Sequence, residues 1–238
     1  PMRESFEDVI FKDKLINSLI TINPTLDYDL IEYAVKQVQR LQTTELLTDN
    51  EAFHKMLTES ITVEVQKDGV TRGEIVKLID FDDVSRNDFV VSNQFTIVEN
   101  GINKRPDLIL FINGLPLVVV ELKNPVDENA TIKSAYNQIQ TYKSVIPSLF
   151  TYNAFCIISD GLEAKAGSIS AGLTRFMSWK SSDGKSEASK LISRMETLIN
   201  GMLNPITLID LIRNFIVYEK NTKVDSKTQI TTIETVKK

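Results

Sequence analysis

Within residues 105–142 three side chains could do chemistry together. Asp107 opens the apolar run Leu108–Ile112, and Glu121 and Lys123 close a second run, Leu117–Val120. Strand periodicity sends Glu121 and Lys123 to one face and Leu122 to the other. Charges buried on such a face must be paired or bind a metal. Two carboxylates and a lysine suit a hard divalent cation. Mg²⁺ takes oxygen ligands and is commonly held by one or two carboxylates plus a substrate phosphate. Such an ion activates water and stabilises charge on the phosphate, and Lys123 would orient that water and stabilise the developing charge.

Whether Asp107 shares the face depends on how the chain turns at Asn113-Gly114, a strong hairpin signal. A two-residue loop would set Ile112 opposite Leu115 and Asp107 opposite Val120, on the wrong face. A three-residue loop, Ile112-Asn113-Gly114 with Gly114 left-handed, would set Phe111 opposite Leu115 and Asp107 opposite Val119. Asp107 would then face the same way as Glu121 and Lys123. We expect the three-residue, bulged turn.

The elements that must position these groups follow from periodicity. Residues 1–60 read as a helical segment: Phe11, Leu15, Leu19 and Ile22 recur at helical spacing, and a second stripe runs from Leu30 to Leu41. A third helix near Asn50–Ser60 carries His54, whose expected role is packing. From Ile61 the period becomes two, giving a hairpin across Lys67-Asp68-Gly69 and then a strand, FVVSNQFTIVE. Pro106 places Asp107 at a strand end. After Asn124-Pro125, the acidic and capping residues Asp127-Glu128-Asn129 precede a helix from Ala130 to Val145, on whose surface Gln138 and Tyr142 are neighbours. Asn153–Ser159 reads as a buried strand, parallel to its neighbour after the helical crossover. Glu163–Gly167 and Thr174–Trp179 suggest further strands, with Trp179 as packing. Glu187–Leu203, with Leu191, Ile192, Met195, Leu198 and Ile199 inward, and Pro205–Tyr218 read as amphipathic helices.

Taken together, PD at 106–107, ELK at 121–123, the phrase NGLPLVVVELKNP and the Q-x-x-x-Y pattern of Gln138 and Tyr142 make a specific resemblance. The chain resembles the PD-(D/E)xK nucleases, and within them the N-terminal nuclease domain of the restriction (R) subunit of type I restriction-modification enzymes, from about Phe6 to Tyr218. The resemblance implies a restriction-endonuclease-like α/β (α+β) fold, a mixed sheet flanked by helices, with helices before and after it. It implies a nuclease core over 61–218 and a polar tail or linker over 219–238. The ATP-using, DNA-translocating motor would follow and is absent here. It further implies hydrolysis of double-stranded DNA by metal-activated water. Asp107, Glu121 and the Leu122 carbonyl would hold Mg²⁺, for which Mn²⁺ would substitute. Lys123 would be the catalytic lysine, with Gln138 and Tyr142 in support. The methyltransferase and specificity subunits would be partners. Related nucleases commonly add a glutamate from a helix preceding the sheet. Glu4, Glu7 and Glu59 are the candidates, none matching well, so weak or no cleavage is expected of the isolated chain.

Composition narrows the alternatives. With 27 basic against 32 acidic residues, the net charge of −5 does not suit a chain that grips DNA alone through a broad basic surface. A domain supplied with DNA by partners needs none. One cysteine, Cys156, excludes an internal disulfide, and a lone histidine argues against structural zinc. No run approaches a membrane span and no signal peptide is evident, so a reducing, cytoplasmic setting is expected. The Pro-Met start and polar end suggest an excised fragment. Gly184-Lys185-Ser186 is not a nucleotide-binding loop, because position 179 is Trp. Two other functions compete with hydrolysis. The charges could be a paired cluster at a sheet end, or the domain could be a non-catalytic docking module linking the motor to the methyltransferase and specificity subunits.

Overall fold

The computed structural model describes residues 3–41, 45–67, 69–124, 126, 131–189, 191–224 and 231–238. Three helices come first: α1 (Lys12–Ile22), α2 (Tyr28–Gln39) and α3 (Leu46–Glu59). Each buries one stripe, such as Leu30, Ile31, Ala34, Val35 and Val38 of α2, as the apolar spacing requires. A hairpin follows, β1 (Ile61–Lys67) against β2 (Val70–Val76), and then β3 (Phe89–Asn93). The small hairpin β4 (Ile97–Glu99) with β5 (Ile102–Lys104) leads to β6 (Leu108–Ile112) and β7 (Leu115–Leu122). Helices α4 (Ile132–Val145) and α5 (Pro147–Thr151) cross over to β8 (Phe155–Ser159) and β9 (Ala164–Gly167).

The central sheet is open and mixed, in the order β3-β6-β7-β8-β9. β7 and β8 run parallel, while the other neighbouring pairs are antiparallel. This is a mixed α/β fold with N-terminal helices, a central sheet and C-terminal helices. β7 is the middle strand, and Leu115 through Glu121 are buried along it. That position explains its nearly continuous apolar sequence, since a strand covered on both faces has no reason to alternate.

The turn between β6 and β7 departs from the expected one. It is the two-residue loop, with Asn113 at φ 55 and Gly114 at φ 79, and Ile112 pairs with Leu115. The bulge lies inside the hairpin: Phe111 pairs with Pro116, but Leu110 pairs with Val118. Pro116 cannot donate to a ladder, so the irregularity falls beside it. The turn itself is pinned. The buried Asn113 side chain donates to the Leu78 carbonyl and to Asn87 Oδ1, and accepts from the Asp88 amide. A Cβ on Gly114 would lie 2.5 Å from the Phe11 carbonyl oxygen on the approach to α1. The bulge moves the register one residue beyond the two-residue expectation. Leu108 therefore pairs with Val120, and the same register carried onward sets Asp107 opposite Glu121.

Other departures have similarly local causes. The run FVVSNQFTIVE is not one strand, because Gln94 takes a left-handed φ of 50 and divides it into β3 and β4. Thr174–Trp179 forms no strand beyond a single bridge from Met177 to Ala166. The helix expected over Glu187–Leu203 is shorter, α6 (Arg194–Gly201), because Ser193 caps it by accepting from the Glu196 amide. Leu191 and Ile192 precede that cap and stand exposed, as does Ile199, whereas Leu198 is buried. Helix α7 (Pro205–Asn214) starts at its proline behind the Asn204 cap. The stretch expected to be a polar tail pairs as β10 (Tyr218–Val224) and β11 (Thr231–Lys237). The expected capping residues Asp127, Glu128 and Asn129 lie outside the described residues, as do Asp68 and Pro125. Thr131 supplies the cap of α4, in a reciprocal box with Ser134.

Candidate active site

Asp107 sits just before β6, and Glu121 near the end of β7, so the bulged register brings both carboxylates to one end of the central hairpin. Two donors fix the Asp107 carboxylate. The Leu122 amide donates to Oδ2 at 2.8 Å and the Gln94 side chain to Oδ1 at 2.9 Å. The Leu122 amide thus points toward Asp107, whereas the Lys123 amide points the other way, to the Ser159 carbonyl of β8 at 2.8 Å. In a regular strand the amide and carbonyl of one residue project to the same side, so the Leu122 carbonyl is directed toward Asp107 as well.

Glu121 is almost wholly buried, at 3% exposure. Its Oε1 accepts from Lys123 Nζ at 2.7 Å. Its Oε2 is buried and makes no hydrogen bond of good geometry, although the Tyr142 hydroxyl lies close enough to the carboxylate to favour its charged form. Burial raises the Glu121 pKa above the ordinary carboxylate range, the bond from Lys123 pulls it back, and the nearby charge of Asp107 raises it again. An unpartnered buried carboxylate oxygen is costly in water's absence and calls for a partner. The rim is open: Lys123 and Asp107 are half-buried, and Leu122 and Gln94 are exposed.

Helix α4 closes one side. It buries Ile132, Ala135, Ile139 and Tyr142, leaving Gln138 half-buried. The Tyr142 hydroxyl lies beside Glu121 and Asp107 and interacts with Gln138. Burial first, and then the two carboxylates, hold its pKa well above the usual phenol value. It also donates a long bond, 3.5 Å, to the Arg105 carbonyl. The structure therefore gathers Asp107, Glu121, Leu122, Lys123 and Tyr142 around one point, with Gln138 reaching it through Tyr142. His54 is elsewhere. It is buried against Tyr218, and burial with the nearby Lys237 pushes its pKa down to about 4.

Among the described residues, no group of three or more His, Cys, Asp or Glu side chains could hold a metal ion. Glu4, Glu7 and Glu59 thus do not join the two carboxylates. The donor set that remains fits a hard divalent cation: two carboxylates, one of them with an orphaned buried oxygen, and a carbonyl, beside an open rim that a phosphate could reach. Gln94 was not legible as part of this site, because nothing in FVVSNQF signals a left-handed glutamine. A cavity of about 660 Å³ lies elsewhere, bordered by Trp179, Phe215 and Lys237. No described helix is long and apolar enough to cross a membrane.

Residues 1–175 match the family model described as Type I restriction enzyme R protein N terminus. The chain is 39% identical over 222 residues to the type I restriction enzyme HindI endonuclease subunit of Haemophilus influenzae, covering 92% of this chain and 21% of that protein. It is 30% identical over 251 residues to a putative type I restriction enzyme MjaIXP endonuclease subunit of Methanocaldococcus jannaschii, covering 98% and 24%. A Staphylococcus aureus endonuclease subunit is 42% identical over 81 residues, 34% of this chain and 8% of that protein. The chain spans between a fifth and a quarter of the length of the first two relatives.

Proposed function

Since the chain belongs to the family of type I restriction enzyme R protein N-termini, we propose that it is the Mg²⁺-dependent DNA endonuclease domain of such an enzyme. What carries this reading is the orphaned Oε2 of buried Glu121, beside Asp107 at an open strand end. In a purely structural ion pair, buried carboxylate oxygens usually both find partners. In the proposal, Asp107, Glu121 and the Leu122 carbonyl hold the cation, and Mn²⁺ substitutes. When bound, the ion would polarise a phosphate oxygen and make a water more acidic.

The chain's own side chains have distinct tasks. Asp107, held by two donors, presents its remaining lone pairs in a fixed plane. Lys123, now on Glu121 Oε1 and partly exposed at the rim, turns to the scissile phosphate in this reading, orients water and stabilises charge. Tyr142, with Gln138 beside its hydroxyl, walls the site from α4 next to both carboxylates. Double-stranded DNA is the substrate. The methyltransferase and specificity subunits deliver it, in keeping with a domain whose net charge is −5. A docking role is compatible with this one and is favoured by Ile206, Phe215 and Val217, which stand exposed at and after α7.

The test is cleavage by the complete enzyme. Asp107→Ala, Glu121→Ala and Lys123→Ala should each abolish DNA cutting and leave subunit assembly intact. Continued cutting by the Asp107→Ala enzyme would contradict the assignment.

A further inference from the structure

Gln94 sits where β3 ends and is held to Asp107 at two points. Its backbone amide donates to the Asp107 carbonyl at 2.8 Å, and its side-chain amide to the Asp107 carboxylate at 2.9 Å. The next residue continues the clamp, the Phe95 amide donating to the Pro106 carbonyl at 3.2 Å. Phe95 is buried in a cluster with Phe11 and Phe111, its ring centroid 5.6 Å and 5.3 Å from theirs. The clamp is therefore anchored in the core, although Gln94 itself is exposed.

The backbone at Gln94 has φ 50, a conformation that suits Gly or Asn and is uncommon for a longer side chain. Two of the other non-glycine residues with positive φ, Asn100 and Asn113, are of the tolerant type. Gln94 instead occupies a conformation that asparagine or glycine would adopt at lower cost. Its length is what the position uses, because the amide must reach past the backbone to the Asp107 carboxylate. A carboxylate has about four lone-pair positions. The Leu122 amide and the Gln94 amide take one on each oxygen and leave the others for a cation.

We propose that Gln94 is a positioning residue for the metal site: its side-chain amide fixes the plane of the Asp107 carboxylate, so that Asp107 meets a divalent cation without reorganising. The proposal rests on Asp107 and Glu121 being the cation's ligands. Outer partners of metal ligands typically contribute 10–100-fold in metal affinity, which sets the scale of the expected effect.

The experiment is a Mn²⁺ titration of the chain followed by electron paramagnetic resonance of the free ion, with Asp107→Ala as the reference. Gln94→Met keeps the length and removes the donor. Gln94→Gly removes the donor but relaxes the backbone, so a role confined to the turn would leave its affinity intact. Both variants should bind Mn²⁺ about 10–100-fold more weakly than the unaltered chain. Their melting temperatures in EDTA should stay within about 2 °C of it, as expected of surface positions. Unaltered affinity in Gln94→Met, with binding lost in Asp107→Ala, overturns the role of Gln94 and leaves the metal site standing. No difference between the unaltered chain and Asp107→Ala overturns the metal site and the positioning role with it.

Discussion

Lys123 and Lys237 are both drawn away from bulk water at the end of a strand, and their surroundings treat them in opposite ways. Lys237 is buried, and its Nζ donates to Asn50 Oδ1 at 3.1 Å and to the Asn153 carbonyl at 2.6 Å. The same Asn50 oxygen accepts from the Tyr218 hydroxyl at 2.6 Å, while Asn50 Nδ2 donates to the carbonyls of Phe150, Thr151 and Asn153. The nest is closed on itself and built of neutral acceptors. Burial accordingly drives the Lys237 pKa down to about 7. Lys123 faces a carboxylate instead, at an open rim, and the pair leaves Glu121 Oε2 without a partner. Bonding within the chain accounts for the nest as architecture, whereas the leftover oxygen is what supports the proposal that the other cluster binds an ion.

The largest expected effect falls on the open cluster and on activity alone. Asp107→Ala should lower DNA cleavage by the complete enzyme at least about 1000-fold, equivalent to about 4 kcal/mol of transition-state stabilisation. Urea unfolding of the same variant should shift by less than about 1 kcal/mol, because the residue is half-exposed. Asn50→Ala should do the reverse. Removing the hub of the nest strands several buried groups and should cost about 3 kcal/mol or more in urea unfolding. If Asn50→Ala were harmless, the contrast between the two regions would fail.

The next effect is on pH dependence. Lys237 is depressed to about 7 in the folded chain and returns to about 10.4 on unfolding. Between those values the unfolded chain binds more protons, so stability rises with pH there and is lost as pH falls through 7. The slope is at most about 1.4 kcal/mol per pH unit. Buried Cys156, pushed up to about 12, acts in the opposite sense once the unfolded thiol ionises. The clean window is therefore about pH 7–8.5. Lys237→Met should flatten the rise in urea midpoint across it, since Asn50 Oδ1 and the Asn153 carbonyl keep other donors.

The smallest effect returns to the open cluster. Glu121 is raised by burial, so the folded chain binds its proton more readily than the unfolded, and stability falls as pH rises through the folded pKa. Glu121→Gln should thus stabilise the chain at pH 7 by roughly 0.5–1 kcal/mol while removing cleavage, the usual trade at a functional site. A loss of stability in calorimetry would mean that the ion pair with Lys123 outweighs the burial of the carboxylate.

Much of this was legible in the residues. The helical stripes of α1 and α2 and the shift to period two at Ile61 follow from local apolar spacing that tertiary packing reinforces, and the parallel placement of Asn153–Ser159 follows from the helical crossover before it. The shared face of Asp107 and Glu121 was legible as well, but by the wrong route. A bulge in the turn and a bulge beside Pro116 change the register with the same parity, and periodicity cannot tell them apart. What stayed hidden depends on distant contacts or on single dihedrals. The left-handed Gln94 breaks a run that reads as one strand. Ser193 starts α6 late and leaves Leu191 exposed. Burial of Lys237 in a stretch read as a polar tail depends on Asn50, which is 187 residues away.

The central claim is that Asp107 and Glu121 hold one cation between them. It is tested most directly by anomalous diffraction from crystals of the chain soaked in Mn²⁺. The account predicts a single strong peak touching both carboxylates, with the Leu122 carbonyl turned to it and Lys123 released from Glu121. A map with no peak there, and Lys123 still seated on Glu121 Oε1, would contradict it.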